Sequence, residues 1–193
     1  GVWDGTSSKP KLARTLASVV APEIERQASR SGMVVLRREM LAAFGLDRAS
    51  TVKHLAKWGT TAAFEIAARQ RGGRYVDRES VGEWRSSRNY SALRSALGVD
   101  FALFVVIRDL RETAGQAVAN AIGGTYTYFK QFGVACVAEL DDGRMIACTS
   151  QADFRGNLGD PAVATWLVQR LFYDLGRLLD TVWPQYPADS DEP

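Results

Sequence analysis

The sequence predicts an α/β (α+β) fold: one domain with a mixed, largely antiparallel sheet and flanking helices. Three observations carry this. Long stretches with apolar residues three and four apart alternate with short apolar runs of strand length. The run "FALFVVI" at 101–107 is bounded by Gly98 and Asp109 and has the continuity of a strand covered on both faces. Residues 132–150, "FGVACVAELDDGRMIACTS", are two apolar runs joined by a tight-turn signal, the pattern of an antiparallel hairpin.

The 193 residues suit a single core, and no stretch reads as a linker between two domains. The domain is expected over 9–183, with a flexible N-terminus at 1–8 and a loose acidic tail at 184–193. Along 12–32, Leu12, Leu16, Val19, Val20 and Ile24 form one apolar stripe, so a helix is predicted that ends near "SRSG". "MVVLRREML" follows as a short strand, Met33 to Leu36, and a polar-headed helical turn before Gly45. Ser50 and Thr51 are placed to cap a helix whose buried face carries Val52, Leu55, Trp58, Ala62, Ala63 and Ile66. Gly59 lies inside that helix at a cost of about 1 kcal/mol relative to alanine, which leaves room for a kink or break there.

The stretch 72–89 reads as an exposed loop with Trp84 folded back as an anchor, and "YSALRSAL" as a return to helix before Gly98. The strand at 99–109 is expected at the centre of the sheet. In the hairpin, a three-residue loop Asp141, Asp142, Gly143 puts glycine in the left-handed position and pairs Leu140 with Arg144. That register sets Cys136 opposite Cys148, close enough for a cross-strand disulfide, with two small buried thiols as the other reading. A bridge there would point to an oxidising compartment. The final helix starts with Asp160 as N-cap and Pro161 at its first position, and ends by Pro184. Its sheet-facing stripe is read as Val163, Trp166, Leu167, Leu171, Leu175, Leu178 and Leu179.

Composition narrows the function classes. The net charge is +2, and the 24 basic residues include five lysines (Lys9, Lys11, Lys53, Lys57, Lys130) interspersed with 22 acids. No basic block of the kind that grips nucleic acid is present, so a nucleic-acid partner is not expected. No apolar run reaches the ~20 residues of a membrane-spanning helix.

Catalytic and ligand motifs are also missing. A phosphate loop would need a lysine after Gly123, Gly124 and Thr125, and a dinucleotide fingerprint would need closer glycines than Gly115 and Gly123. His54 is the single histidine, set between Lys53 and Lys57 on a helix where a solvent-facing ring is expected. It leaves no histidine pair for a metal and no glycine-flanked serine to serve as base for. Asp141 and Asp142 are explained by the turn, and Glu112 near Asp109 and Asp153 near Arg155 by strand ends. No catalytic residue, metal or cofactor is assigned.

The order of these pieces resembles a known family. The segments "LARTLASVVAPEIERQASRSGMVVLRREML", "GVDFALFVVIRD" and "FGVACVAELDDGRMIACTSQADFRGNLGDPAVATWLVQRLF" look like bacterial envelope lipoproteins of the CsgG-like superfamily. More narrowly, they are similar to uncharacterised proteobacterial lipoproteins with a "G-x-D/Y-ALFV-x-IRD" strand, a "V-DL-x-TG-R" hairpin (here "AELDDGR") and a "GDLR"-like segment (here "DFRGNLGDP"). The resemblance covers roughly residues 10–180. It implies a protein of the periplasm, anchored to the outer membrane by a lipid on a segment that this chain lacks. It further implies a non-enzymatic accessory role in envelope assembly, secretion or polysaccharide export, with envelope proteins or a second copy as partners. The chain has no lipobox cysteine, residues 71–90 have no counterpart in the pattern, and alternating membrane-hairpin segments are not evident, which argues against a pore.

On that reading the partner-binding residues are expected among Tyr75, Trp84, Tyr90, Tyr126, Tyr128 and Phe129, since aromatics concentrate at interfaces. The competing class is an enzyme or small-ligand domain whose carboxylates converge with Arg108 or Arg155 from distant loops. A third is a cytoplasmic ligand-binding module, which free cysteines would favour.

Overall fold

The computed structural model describes residues 14–31, 33, 50–69, 84–109, 131–152 and 156–182. Four α-helices are described, α1 (Ala21–Arg30), α2 (Ser50–Arg69), α3 (Ser91–Leu97) and α4 (Pro161–Val182), with three strands, β1 (Phe101–Asp109), β2 (Gln131–Glu139) and β3 (Met145–Ala152). The described sheet is antiparallel throughout, in the order β1-β2-β3. The expected N-terminus at 1–8, the tail at 184–193, Pro184, the strand at 34–36, Gly45 and the 115–125 segment lie outside the described residues.

Strand alternation divides the apolar residues between two faces. Phe104, Val106, Phe132, Val134, Cys136, Ala138, Met145 and Cys148 share one face and pack with Ala62, Ala63 and Ile66 of α2. Leu103, Val105, Ile107, Ala135, Val137 and Ala147 share the other and meet Leu167, Leu171, Leu175 and Leu179 of α4. On that second face α1 lies beside α4, with Val20 and Ala28 packed on Ala164, Val168 and Phe172. Burial of both faces between helices makes β2 almost entirely inaccessible.

The apolar continuity of 101–107 reflects this two-sided cover, and among the described strands β1 is not the middle one. β2 occupies the middle, and β1 is an outer strand of the described sheet with its side chains half-buried. Helical cover explains the run by itself; position in the sheet is set by pairing partners distant in sequence.

The hairpin also departs from expectation near its tip. Cys136 pairs with Cys148, yet beyond Val137 the register shifts, so that Ala138 pairs with Met145. Ile146 is the extra residue. A bulge lets Ile146 and Ala147 turn to the α4 face together while Met145 joins the α2 face. The Glu139 N–H then donates to the Arg144 carbonyl at 2.9 Å, leaving a four-residue loop of Leu140, Asp141, Asp142 and Gly143. Gly143 has φ +64°, the left-handed conformation predicted for it.

Two helices show how single residues shape an element. α1 is preceded by a π-helical turn over Leu16–Val20, which the stripe of leucines and valines did not reveal. Its cause is Pro22, which lacks the N–H that Ser18's carbonyl would receive in an α-helix, so the ladder loosens before it. In α2 the helix runs unbroken through Gly59. A Cβ there would lie 2.1 Å from the Phe104 ring, so this glycine admits the strand's aromatic against the helix instead of breaking it. α4 starts as predicted: the Asp160 carboxylate accepts from the Ala162 N–H at 2.9 Å.

Candidate functional site

Two regions bring polar or aromatic side chains together. The first is the hairpin end. The 84–90 segment runs along the tip: Met145 N–H donates to Trp84 O at 2.9 Å, Ser86 N–H to Gly143 O at 2.8 Å and Tyr90 N–H to Leu140 O at 3.2 Å. Around it, Arg94 bonds Asp100 at 2.5 Å and Asp141 at 2.9 Å. Arg85 meets Asp142 at 3.1 Å, and Arg144 meets Glu139 at 3.4 Å. The hydrogen bond that Arg94 donates to Asp100, helped by the charge of Asp141, raises the Arg94 pKa above its ordinary value. Asp142 also accepts from the Arg144 N–H at 3.1 Å, the turn role assigned to it from sequence. Each of the four acids at this tip therefore has an arginine against it, and the cluster fastens the hairpin to α3 and the 84–90 segment.

Beneath this clasp Tyr90 is wholly buried. Its hydroxyl lies 2.8 Å from His54 Nδ1 and 2.7 Å from Ser86 Oγ, and burial pushes its pKa up. Trp58 stands beside it, 6.3 Å between ring centroids, and meets Phe104 edge-on at 6.0 Å. Two sequence expectations change here. Tyr90 is withdrawn from any docking surface, because the hydrophobic pocket under α2 and α3 takes the ring and the His54–Tyr90–Ser86 chain satisfies its hydroxyl. His54 is half-buried and hydrogen-bonded instead of facing solvent.

Trp84 is half-buried against the α2 face of the sheet, in keeping with an anchor. Tyr75, Tyr126, Tyr128, Phe129 and Arg155 lie outside the described residues, as do Glu112, Asp153 and the side chain of Arg108. Cys136 and Cys148 are joined as a disulfide between β2 and β3, with Cα atoms 4.1 Å apart and both residues at most 1% exposed. Among the described residues no group of three or more His, Cys, Asp or Glu side chains converges as metal ligands.

The second region is the outer side of α4. Trp166, expected on the sheet-facing stripe, is 45% exposed. At about 100° per residue it falls well away from the Leu167, Leu171, Leu175 line and shares an arc with Arg170, Tyr173 and Arg177. Tyr173 is 58% exposed, and these are the two large exposed apolar side chains among the described residues. Helical geometry separates their Cα atoms by about 10 Å.

The ridge between them is fixed from below. Arg170 places its guanidinium over the Tyr173 ring, 5.4 Å from the centroid, and its Nε lies 3.0 Å from Asp174. Asp174 is fully buried and also accepts from Gln151 Nε2 of β3 at 2.9 Å. A buried carboxylate thus pins an arginine, which in turn pins an aromatic ring. Arg177, one turn further on, is exposed and has no ion-pair partner among the described residues. The sequence signal for this ridge is the 166, 170, 173, 177 spacing, of which the apolar stripe takes in Trp166 alone.

Comparison with protein-family models, curated proteins and solved structures finds no match. The functional reading therefore rests on this geometry and on the sequence pattern. No helix of the described residues is long and apolar enough to cross a membrane.

Proposed function

We propose that this chain is a non-enzymatic accessory protein of the bacterial cell envelope, acting by protein–protein contact in the periplasm at the outer membrane. The observation that carries the reading is the α4 ridge: the two exposed large aromatics stand together with arginines, while other large apolar side chains among the described residues pack inward. Trp, Tyr and Arg are the residue types that dominate binding hot spots. Preorganisation by Asp174 and Gln151 lowers the entropy lost on docking.

The compartment is supported by the Cys136–Cys148 disulfide, since such bonds persist where the surroundings are oxidising. Free cysteines, which the cytoplasmic ligand-binding alternative would favour, are not found. The resemblance to CsgG-like lipoproteins supports envelope assembly, secretion or polysaccharide export as the setting, with a lipid anchor supplied upstream of Gly1. The enzyme alternative gains nothing from the hairpin end, where the gathered carboxylates are matched by arginines that fasten the turn.

The test is photocrosslinking in cells from a benzophenone amino acid placed at Tyr173, with a control probe at the exposed Lys53 of α2. A crosslinked protein in the outer-membrane fraction that depends on the probe at 173 is expected. A chain recovered in the cytosol with both thiols reduced, or identical crosslinks from both positions, would refute the proposal.

A further inference from the structure

We infer that the Cys136–Cys148 bond is installed on the β2–β3 hairpin by exchange with a disulfide-bearing oxidant before α2 seats on the sheet, so that the chain meets its oxidant unfolded. The inference goes beyond the docking reading and uses none of its residues. Two observations carry it. The first is cover: Cys136 is fully buried, Cys148 is 1% exposed, and Ala62, Ala63 and Ile66 of α2 pack over the pair. Two adjacent buried alanines, and Gly59, whose missing Cβ makes room for Phe104, bring the helix close against this face. Exchange needs a third sulfur to reach one of the two, and a close-packed interior gives it no path.

The second observation is locality. The cysteines are separated by 12 in sequence on adjoining strands, and the ladder that sets them opposite each other lies within 131–152. A hairpin forms in about 1–10 μs, whereas disulfide formation takes seconds or longer, so the pair meets many times before it is oxidised. The hairpin is therefore the substrate, and α2, which comes from a distant part of the chain, is the lid that closes over the product.

The chemistry balances as two displacements. A hairpin thiolate, its proton lost to solvent, attacks one sulfur of the oxidant's disulfide and releases the other as a thiolate. The second hairpin thiolate then attacks its partner cysteine in the mixed disulfide, which forms Cys136–Cys148 and releases the oxidant's remaining sulfur. Two electrons pass to the oxidant, which takes up two protons and leaves in its thiol form. A chain delivered folded and reduced would present covered thiols, so on the envelope reading it enters the oxidising compartment unfolded.

The experiment starts from the full chain, reduced and unfolded in denaturant, with glutathione disulfide as the oxidant. In one arm the oxidant is present when the denaturant is diluted; in the other it is added after the circular dichroism signal has levelled off. Free thiols are counted by alkylation and mass spectrometry. Rapid closure of the bond is expected in the first arm and oxidation slower by about tenfold or more in the second, because access governs the exchange rate. The Cys136→Ser chain should hold glutathione on Cys148 in the first arm and not in the second.

Equal rates in both arms from a reduced chain that has regained its helix signal would overturn the inference. So would glutathione taken up as readily by the folded Cys136→Ser chain, or dimers linked between chains in place of the internal bond. A reduced chain that gains no structure until oxidant is added would also put oxidation ahead of folding, and so support the order. None of these outcomes touches Tyr173 or the compartment, so the docking reading stands or falls separately.

Discussion

Glu23 shows how much one side chain of α1 does for the join to α4. It is nearly buried, accepts from Arg26 Nε at 2.8 Å and from Gln27 Nε2 at 2.8 Å, and also bonds Gln169 of α4. The Arg26 hydrogen bond holds its carboxyl below the ordinary value of 4.5, against a burial penalty that acts the other way. A folded-state pKa below the unfolded one means the stabilisation is fully present above about pH 4.5 and is lost as pH falls through the depressed value. Glu23→Gln should therefore melt below the parent chain at pH 7, and the gap should close as pH falls below 4.5 through the depressed value. Thermal unfolding followed by circular dichroism across that range checks it; a gap that stays constant would show that ionisation of Glu23 contributes nothing. Gly59 and Pro22 act through backbone instead. One removes a Cβ that would strike Phe104, and the other removes a donor and loosens the turn before it.

Among elements, the β2–β3 hairpin carries the covalent tie of the sheet. Its disulfide spans a sequence separation of 12 and lies under α2 among Ala62, Ala63 and Ile66. Closing a loop of that size removes unfolded-state entropy worth about 3 kcal/mol. The Cys136→Ala/Cys148→Ala variant is expected to lose stability of about that size in denaturant titration. In the native chain the bond should resist reductant until the protein unfolds, because both cysteines are inaccessible. Rapid thiol labelling of the folded chain in mild reductant would contradict this. Cys136 meets Cys148 as the sequence predicts although the loop differs, because the four-residue loop offsets the register by one residue and the bulge at Ile146 restores it. The bulge could not be read from the sequence, since it depends on which helix offers space on each face.

For the molecule as a whole, the division between a packed sheet and an exposed ridge separates stability from binding. Leu171 is fully buried between α4 and the sheet, and Leu171→Ala should cost about 2–5 kcal/mol. Trp166 and Tyr173 face outward on the same helix, and the Trp166→Ala/Tyr173→Ala pair should stay within about 1 kcal/mol of the parent in denaturant titration, since each exposed substitution costs little. A double variant that unfolds as readily as Leu171→Ala would show that the ridge belongs to the core and would remove it as a docking surface. The hairpin end should behave as structure, because its ion pairs tie the tip to α3 and the 84–90 segment.

By itself the sequence determined the periodic elements: a helix ending near Ser31, the buried face of α2 from Val52 to Ile66, the strand at 101–107, the hairpin, and the Asp160–Pro161 start of α4. These follow from local rules, in which side-chain period, turn geometry and capping are set by near neighbours. Only the tertiary structure decided that β2 lies in the middle of the described strands, that Tyr90 is internal with His54 and Ser86 on its hydroxyl, and that Trp166 stands outside the apolar stripe. Each depends on partners far away in the chain, which choose the face that is covered. Trp166 makes the reason plain: an aromatic at the margin of a helical stripe can belong to core or surface, and the sheet beneath the helix makes the choice.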